Sequence, residues 1–231
     1  MFFREDIFSQ LNAHIEDFNT NSSGSSIKIL VGSDIKALSK IEADEWKKKI
    51  HICRNIGEQY AVNTINHCID NIHGTDDDAI KFDIAMILSD DYVAGFIIVE
   101  FGECNIVPFK NTPVLNLICT NAQIKTLFPV AKTLVYMYVF TMYKMNNHYE
   151  YGLLELARHY ENIPGLCTYY KFGFREDLSL KHKNCFADGL HDNNMITIPM
   201  KVNLRDTKLN ELALLKIVTE KGKILELSND P

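Results

Sequence analysis

Nowhere in this 231-residue chain does an apolar run approach the about 20 residues that a membrane-spanning helix requires. The opening stretch, MFFREDIFSQLNAHIEDF, lacks a basic start, an apolar core and a small-residue cleavage site, so it does not read as a secretory signal. Positive charge is not in excess: 24 Lys and Arg against 30 Asp and Glu leave a formal net charge of -6. That balance argues against nucleic acid or an anionic membrane surface as partner and suits a cationic ligand such as an amine. Cysteines are scattered, at 53, 68, 104, 119, 167 and 185, with no CxxC pair. The expectation is reduced, mostly buried thiols and a cytoplasmic setting. No G-x-S-x-G, HExxH, P-loop or G-x-G-x-x-G occurs, which removes the common signatures of serine hydrolases, zinc proteases and nucleotide-binding folds. His182, Cys185 and His191 lie close in sequence, but in a polar stretch without ligand spacing, so no metal is expected.

What is present is periodicity. Ile7, Leu11, Ile15 and Phe18 fall at helical spacing, and NTNSSGSS follows at 19–26. This predicts a first unit over 1–26, an amphipathic helix and a flexible linker, docking on this chain or on a second copy as in a homodimer. IKILV is a short strand, and 39–72 turns helical, as two helices bearing Trp46, Ile50, Ile56, Tyr60, Ile65 and Ile69. KFDIAMILSDDYVAGFIIVEFGECNIV predicts two strands around a turn at SDD, and TPVLNLICTN a third. LFPVAKTLVYMYVFTMYKMNN reads as a helix apolar almost all round, hence buried against a sheet, with Pro129 in its first turn. YEYGLLELA is a further strand, after which a short helix opens with Asn162 as N-cap and Pro164 near its start. NMITIPMKVNL is a late strand. The last unit, 207–231, is a helix with Thr207 at its N-cap and Gly222 past its end, followed by a tail. Between the two lies one α/β (α+β) domain over 27–206, a sheet with helices on both faces.

One stretch says more. In YGLLELARHYENIPGLCTYYKFGFRED, residues 151–177, a buried-type strand stops at polar residues, and Asn162-x6-Tyr169-x3-Gly173-Phe174 follows. With the strand order around it, this segment resembles the GNAT family of N-acetyltransferases over about residues 82–204. The resemblance implies a mixed, mostly antiparallel sheet with a central splay between two parallel strands, here VLNLICTN and YGLLELA. It implies acetyl-CoA as cofactor, its pantetheine arm between those strands, and an amine-bearing small molecule or peptide as acceptor. Backbone N–H groups of Leu117, Ile118, Cys119, Thr120 and Asn121 would hold the thioester oxygen. Tyr169 would protonate the departing thiolate, with Tyr170 as the substitute if the register shifts by one. Asn162, two helical turns before Tyr169, would face the cofactor, and Gly165 stands where the family has a small alanine.

Two features depart from the family. Its phosphate loop carries glycines that let N–H groups reach the pyrophosphate at a helix N-terminus. Here TNAQIKTLFPVAKTL places Thr126, Pro129 and Ala131 at the motif positions, and only Ala131 fits. Lys125 and Lys132 are the nearby cations. The splayed strand also lacks the family's glutamate and offers Asn116 instead. Glu100 or Glu103 on the preceding strand would then act as base through a water, Glu155 faces away from Leu154 and Leu156, and His148 is placed at the mouth of the splay. The alternative function is a GNAT-fold scaffold that has lost the reaction and serves as a binding module. A loop with three or more convergent free N–H groups at 126–132 would favour the enzyme.

Overall fold

The computed structural model describes residues 2–22, 24–37, 70, 82–90, 92–101, 107–121, 123–145, 148–157, 162–182, 197–206 and 209–219. Seven strands form one sheet: β1 (Ile27–Val31), β2 (Phe82–Ser89), β3 (Tyr92–Phe101), β4 (Pro113–Thr120), β5 (Tyr151–Ala157), β6 (Arg175–Glu176) and β7 (Thr197–Asn203). Their order is β1-β2-β3-β4-β5-β7-β6, with every neighbouring pair antiparallel except β4 and β5. The helices are α1 (Ser9–Asn21), α2 (Gly32–Ala37), α3 (Val130–Lys144), α4 (Ile163–Lys171) and α5 (Glu211–Thr219).

Every residue of β2 is buried, as β-branched and apolar residues on both faces of a central strand require. The turn into β3 is made by Asp90, whose φ of 54° is a left-handed value that aspartate tolerates better than most residues. Eleven of the fifteen α3 residues are buried, which makes this helix the core element its all-round apolar sequence predicts. Pro129 stands at its N-cap, just ahead of the first turn in which it was expected. On the same face, α1, α4 and α5 contribute Leu11, Ile15, Tyr169, Leu214 and Val218 to a single core with Ile97, Val99, Leu115, Leu154 and Leu156. Residues of opposite parity, Ile84, Met86, Phe96 and Ile98, are 1% exposed or less. The helices expected over 39–72 lie outside the described residues.

The N-terminal helix docks on this chain. Phe2, Phe3, Phe8 and Leu11 are all 2% exposed or less. The buried Asp83 carboxylate of β2 accepts the backbone N–H groups of Phe2 and Phe3, the latter at 2.9 Å. Burial raises the Asp83 carboxyl above its usual range, and those N–H groups work in the opposite direction. The expected linker is shorter than its composition suggests, because α1 continues to Asn21. Asn19 then grips β1 in both directions: its Nδ2 donates to the Ile27 carbonyl at 2.9 Å, and its Oδ1 accepts the Ile27 N–H at 2.8 Å. The last helix also differs in detail. It begins at Glu211, where Asn210 Oδ1 accepts the Ala213 N–H at 2.9 Å as a capping side chain does, and the expected cap Thr207 lies outside the described residues.

Candidate functional site

The parallel pair β4–β5 holds together over only two residue pairs, Val114 with Leu153 and Leu115 with Leu154. Beyond them the strands part, and among the described residues the β5-facing edge of Asn116–Thr120 has no strand partner. The departure coincides with a β-bulge: Val99 pairs with Leu115 and Ile98 with Leu117, so Asn116 is the extra residue on β4. A bulge bends and twists its strand, which turns β4 away from β5 at that point. The Asn116 amide nitrogen donates to Glu100 Oε2 at 2.7 Å, while its oxygen is buried without a partner.

The site residues on β4 separate into two groups. Leu117, Ile118, Cys119 and Thr120 form the edge of the splay, Leu117 and Cys119 with buried side chains. Asn121 closes that edge back onto β3, its N–H bonded to the Ala94 carbonyl at 2.9 Å and its Nδ2 to the Val93 carbonyl at 3.3 Å. Cys119 is disulfide-bonded, its partner lying outside the described residues. This corrects the expectation of a reduced core thiol: a spacing pattern cannot reveal a pairing that only the fold brings together. Cys167, by contrast, is free and exposed.

Gly95 decides where α3 begins. A Cβ at this position would lie 2.6 Å from Val130 Cγ1 and 2.7 Å from the Cys119 carbonyl oxygen. Only glycine lets the first residue of α3 settle over β3 and β4 at the open end of the splay. Sequence reasoning passed Gly95 over, since a glycine inside a strand signals a close approach without naming what approaches. In the loop before α3, Thr126 Oγ1 accepts the Phe128 N–H at 3.1 Å, and the Val130 N–H goes to the Phe128 carbonyl at 2.9 Å. Pro129 has no N–H to give. The Ala131 N–H keeps no acceptor among the described residues, at the electropositive end of the helix. Lys132 is half-buried in the first turn and Lys125 exposed in the loop.

The tyrosine helix explains its own spacing. Asn162 caps α4 by accepting the Gly165 N–H at 3.1 Å. A Cβ on Gly165 would come within 2.7 Å of Asn162 Oδ1, so the glycine makes room for the cap. The Asn162 oxygen is therefore engaged with its own helix. At the other end, Gly173 has φ of 87°, its N–H bonds the Tyr170 carbonyl at 3.0 Å, and the Phe174 N–H bonds the Tyr169 carbonyl at 3.1 Å. That pattern is a Schellman stop, completed by the edge-to-face contact of Tyr169 with Phe174 at 5.9 Å.

The two tyrosines diverge. Tyr169 is 5% exposed, and its hydroxyl has no hydrogen-bond partner among the described residues. Burial pushes its phenol well above the ordinary tyrosine range. Tyr170 faces outward, its hydroxyl bonded to Glu176 at 3.0 Å and its ring under Arg175. Glu155 accepts a hydrogen bond from Thr197 on β7. His148 precedes β5 and so stands at the closed end of the splay, not at its mouth as expected, because the strands pair first and part afterwards. Glu103 and residues 183–196 lie outside the described residues. Among those described, no helix is long and apolar enough to cross a membrane.

No protein-family model matches the sequence. No curated protein matches it either. Solved structures do. A Desulfovibrio desulfuricans protein assigned to the GNAT family of acetyltransferases superposes with a TM-score of 0.52 at 10% identity, over 77% of this chain and 99% of its own. The PaiA N-acetyltransferase of Thermoplasma acidophilum, solved with coenzyme A, is 20% identical over 77% of this chain and 99% of its own, with a TM-score of 0.42. The first of these establishes the fold: a seven-stranded, mostly antiparallel sheet with one parallel pair is the GNAT fold.

Proposed function

We propose that this chain is a coenzyme A-dependent N-acyltransferase, moving an acetyl group from acetyl-CoA to an amine. The observation that carries the reading is the splay, where a bulged β4 leaves the backbone edge of Asn116–Thr120 open toward β5. An open strand edge is a row of unpaired donors and acceptors, suited to an extended, amide-bearing chain such as a pantetheine arm. The residues present fit that group: the open edge would receive it, and the start of α3 at Val130 packs over Gly95, the partner of Thr120 at the open end of the splay.

When bound, acetyl-CoA supplies an activated acyl group as a thioester. The chain's own residues do the rest. The Glu100 carboxylate, oriented by Asn116, takes a proton from the acceptor ammonium through a water, leaving a neutral amine able to attack. The backbone N–H groups of Leu117–Thr120 that face the open edge would stabilise negative charge on the carbonyl oxygen, whereas the Asn121 N–H is already bonded to Ala94. Tyr169 would give its proton to the thioester sulfur, so that the leaving group departs as the thiol. A phenol kept neutral by burial is suited to donate, and its hydroxyl is not committed elsewhere among the described residues. Tyr170, already bonded to Glu176, takes no part. The net charge of -6 favours a cationic small molecule or lysine-bearing peptide as acceptor.

Calorimetric titration with acetyl-CoA and with free CoA tests the proposal. Micromolar binding supports it and leads to an amine screen. Absence of binding at millimolar ligand overturns it in favour of a scaffold that keeps the fold without the reaction. The glycine-free loop, two of whose N–H groups are already engaged, is the feature that favours this second reading.

A further inference from the structure

The splay has a built apex. Tyr138, in the middle of α3, is 0% exposed, and its hydroxyl reaches into the closed end of the β4–β5 pair. It donates to the Pro113 carbonyl of β4 at 2.7 Å, with the Leu153 carbonyl of β5 as a second acceptor at 3.0 Å, and accepts the Leu153 N–H at 2.9 Å. Val114 pairs with Leu153 here, and the Pro113 carbonyl and Leu153 N–H are the groups that a direct rung would join. The phenol is interposed between them. Two bonds in series hold the strands farther apart than one N–H···O=C bond of about 2.9 Å. The approach is prepared from β5: a Cβ on Gly152 would lie 3.3 Å from Tyr138 Cε1 and 2.9 Å from Val202 Cγ1. The ring continues the arrangement, stacking on Phe174 at 6.4 Å, and Phe174 meets Tyr169 edge-on at 5.9 Å.

The geometry points to Tyr138 as the positioning residue that sets the width of the splay, and through Phe174 the seat of Tyr169, for the acyl transfer proposed above. The assignment rests on that reading for its functional half, whereas the spacer itself is a property of the strands. A buried tyrosine chosen only to fill the core would not place its hydroxyl between two strands. The same helix supplies the contrast: Tyr136 is equally buried, its ring stacked on Phe140, and its hydroxyl has no partner.

The test compares Tyr138→Phe with Tyr136→Phe in the full chain. The probes are CoA and adenosine 3′,5′-bisphosphate, which lacks the pantetheine arm. The expected result is an affinity for CoA about tenfold weaker in Tyr138→Phe, the size of one lost hydrogen bond in a buried network. Bisphosphate affinity stays unchanged, Leu153 amide hydrogen exchange accelerates, and Tyr136→Phe matches the parent throughout. A Tyr138→Phe protein that binds both probes like the parent, or loses both alike through general loosening, overturns the assignment. If the parent binds neither probe, the acyltransferase reading fails. The Leu153 amide then decides the spacer: faster exchange in Tyr138→Phe alone upholds it, and unchanged exchange removes it.

Discussion

Tyr169 and Tyr170 are adjacent in the chain and opposite in environment, and the difference is chemical. A phenol at the surface, bonded to Glu176 and lying under Arg175, is held in place by its partners. On the proposed reading, a phenol in the core whose hydroxyl is uncommitted among the described residues serves as the proton source. Tyr169→Phe should therefore lower turnover by about tenfold or more while leaving CoA affinity intact, since general acid terms are worth ~10²–10⁴. Unchanged turnover would remove the assignment. Because burial raises the Tyr169 phenol, its proton stays on above the ordinary value near pH 10. A profile of turnover against pH should accordingly show no loss of the acid below about pH 10. At Gly165 and Asn162 the structure shows a local role, the cap of α4. Gly165→Ala crowds the cap, and Asn162→Ala deletes it. Each should cost about 1 kcal/mol in a denaturant titration, and the double variant should cost little more than either, because both remove one bond.

Among the elements, the N-terminal segment is the least expected in its depth of burial. A helix tied by a serine-rich stretch reads as an appendage, yet Phe2, Phe3 and Phe8 reach the core, and one carboxylate holds the backbone of the first two. Asp83→Ala would leave the N–H groups of Phe2, Phe3 and Ile84 without their acceptor. The cost should be about 2 kcal/mol, the unpaired donors outweighing relief of a desolvated carboxylate. Amide exchange over residues 2–8 should rise with it. Exchange unchanged there would show that the aromatic rings, not Asp83, hold the segment. Element identity was legible where periodicity is strong, as in β2, β3, α3 and the Asn162 cap. The cap of α5 was not, because Thr207 and Asn210 are both capping residues three positions apart and composition cannot choose between them.

At the scale of the whole molecule, Tyr136, Tyr138 and Tyr169 share one core, and burial raises all three phenols. Their folded values lie above those of the unfolded chain, near 10. Below that value both states are protonated and the contribution to stability is complete. As pH rises past about 10, the unfolded chain releases protons that the folded one retains, so stability falls toward the raised folded values. The denaturation midpoint should hold steady from neutral pH to about 10 and drop steeply above it, with Tyr136→Phe shallower because one linked proton is gone. A midpoint flat to pH 11 would contradict the burial of these hydroxyls.

The sequence by itself determined the run from β2 through α4 along the chain, the buried character of α3, and the start of a short helix at Asn162. These follow from patterns local to the chain, since side-chain periodicity, caps and a glycine with positive φ act within a few residues. The spacing of Tyr169 from Gly173 was legible as a motif, and the structure gives its local cause, the helix stop. Only the tertiary structure decided what lies across from what: the bulge at Asn116, the seat that Gly95 leaves for α3, the disulfide at Cys119, the hydroxyl of Tyr138 between two strands, and the outward turn of Tyr170. Each depends on residues distant in sequence meeting in space, and such meetings are selected by packing and hydrogen-bond satisfaction over the whole core, which no local pattern encodes.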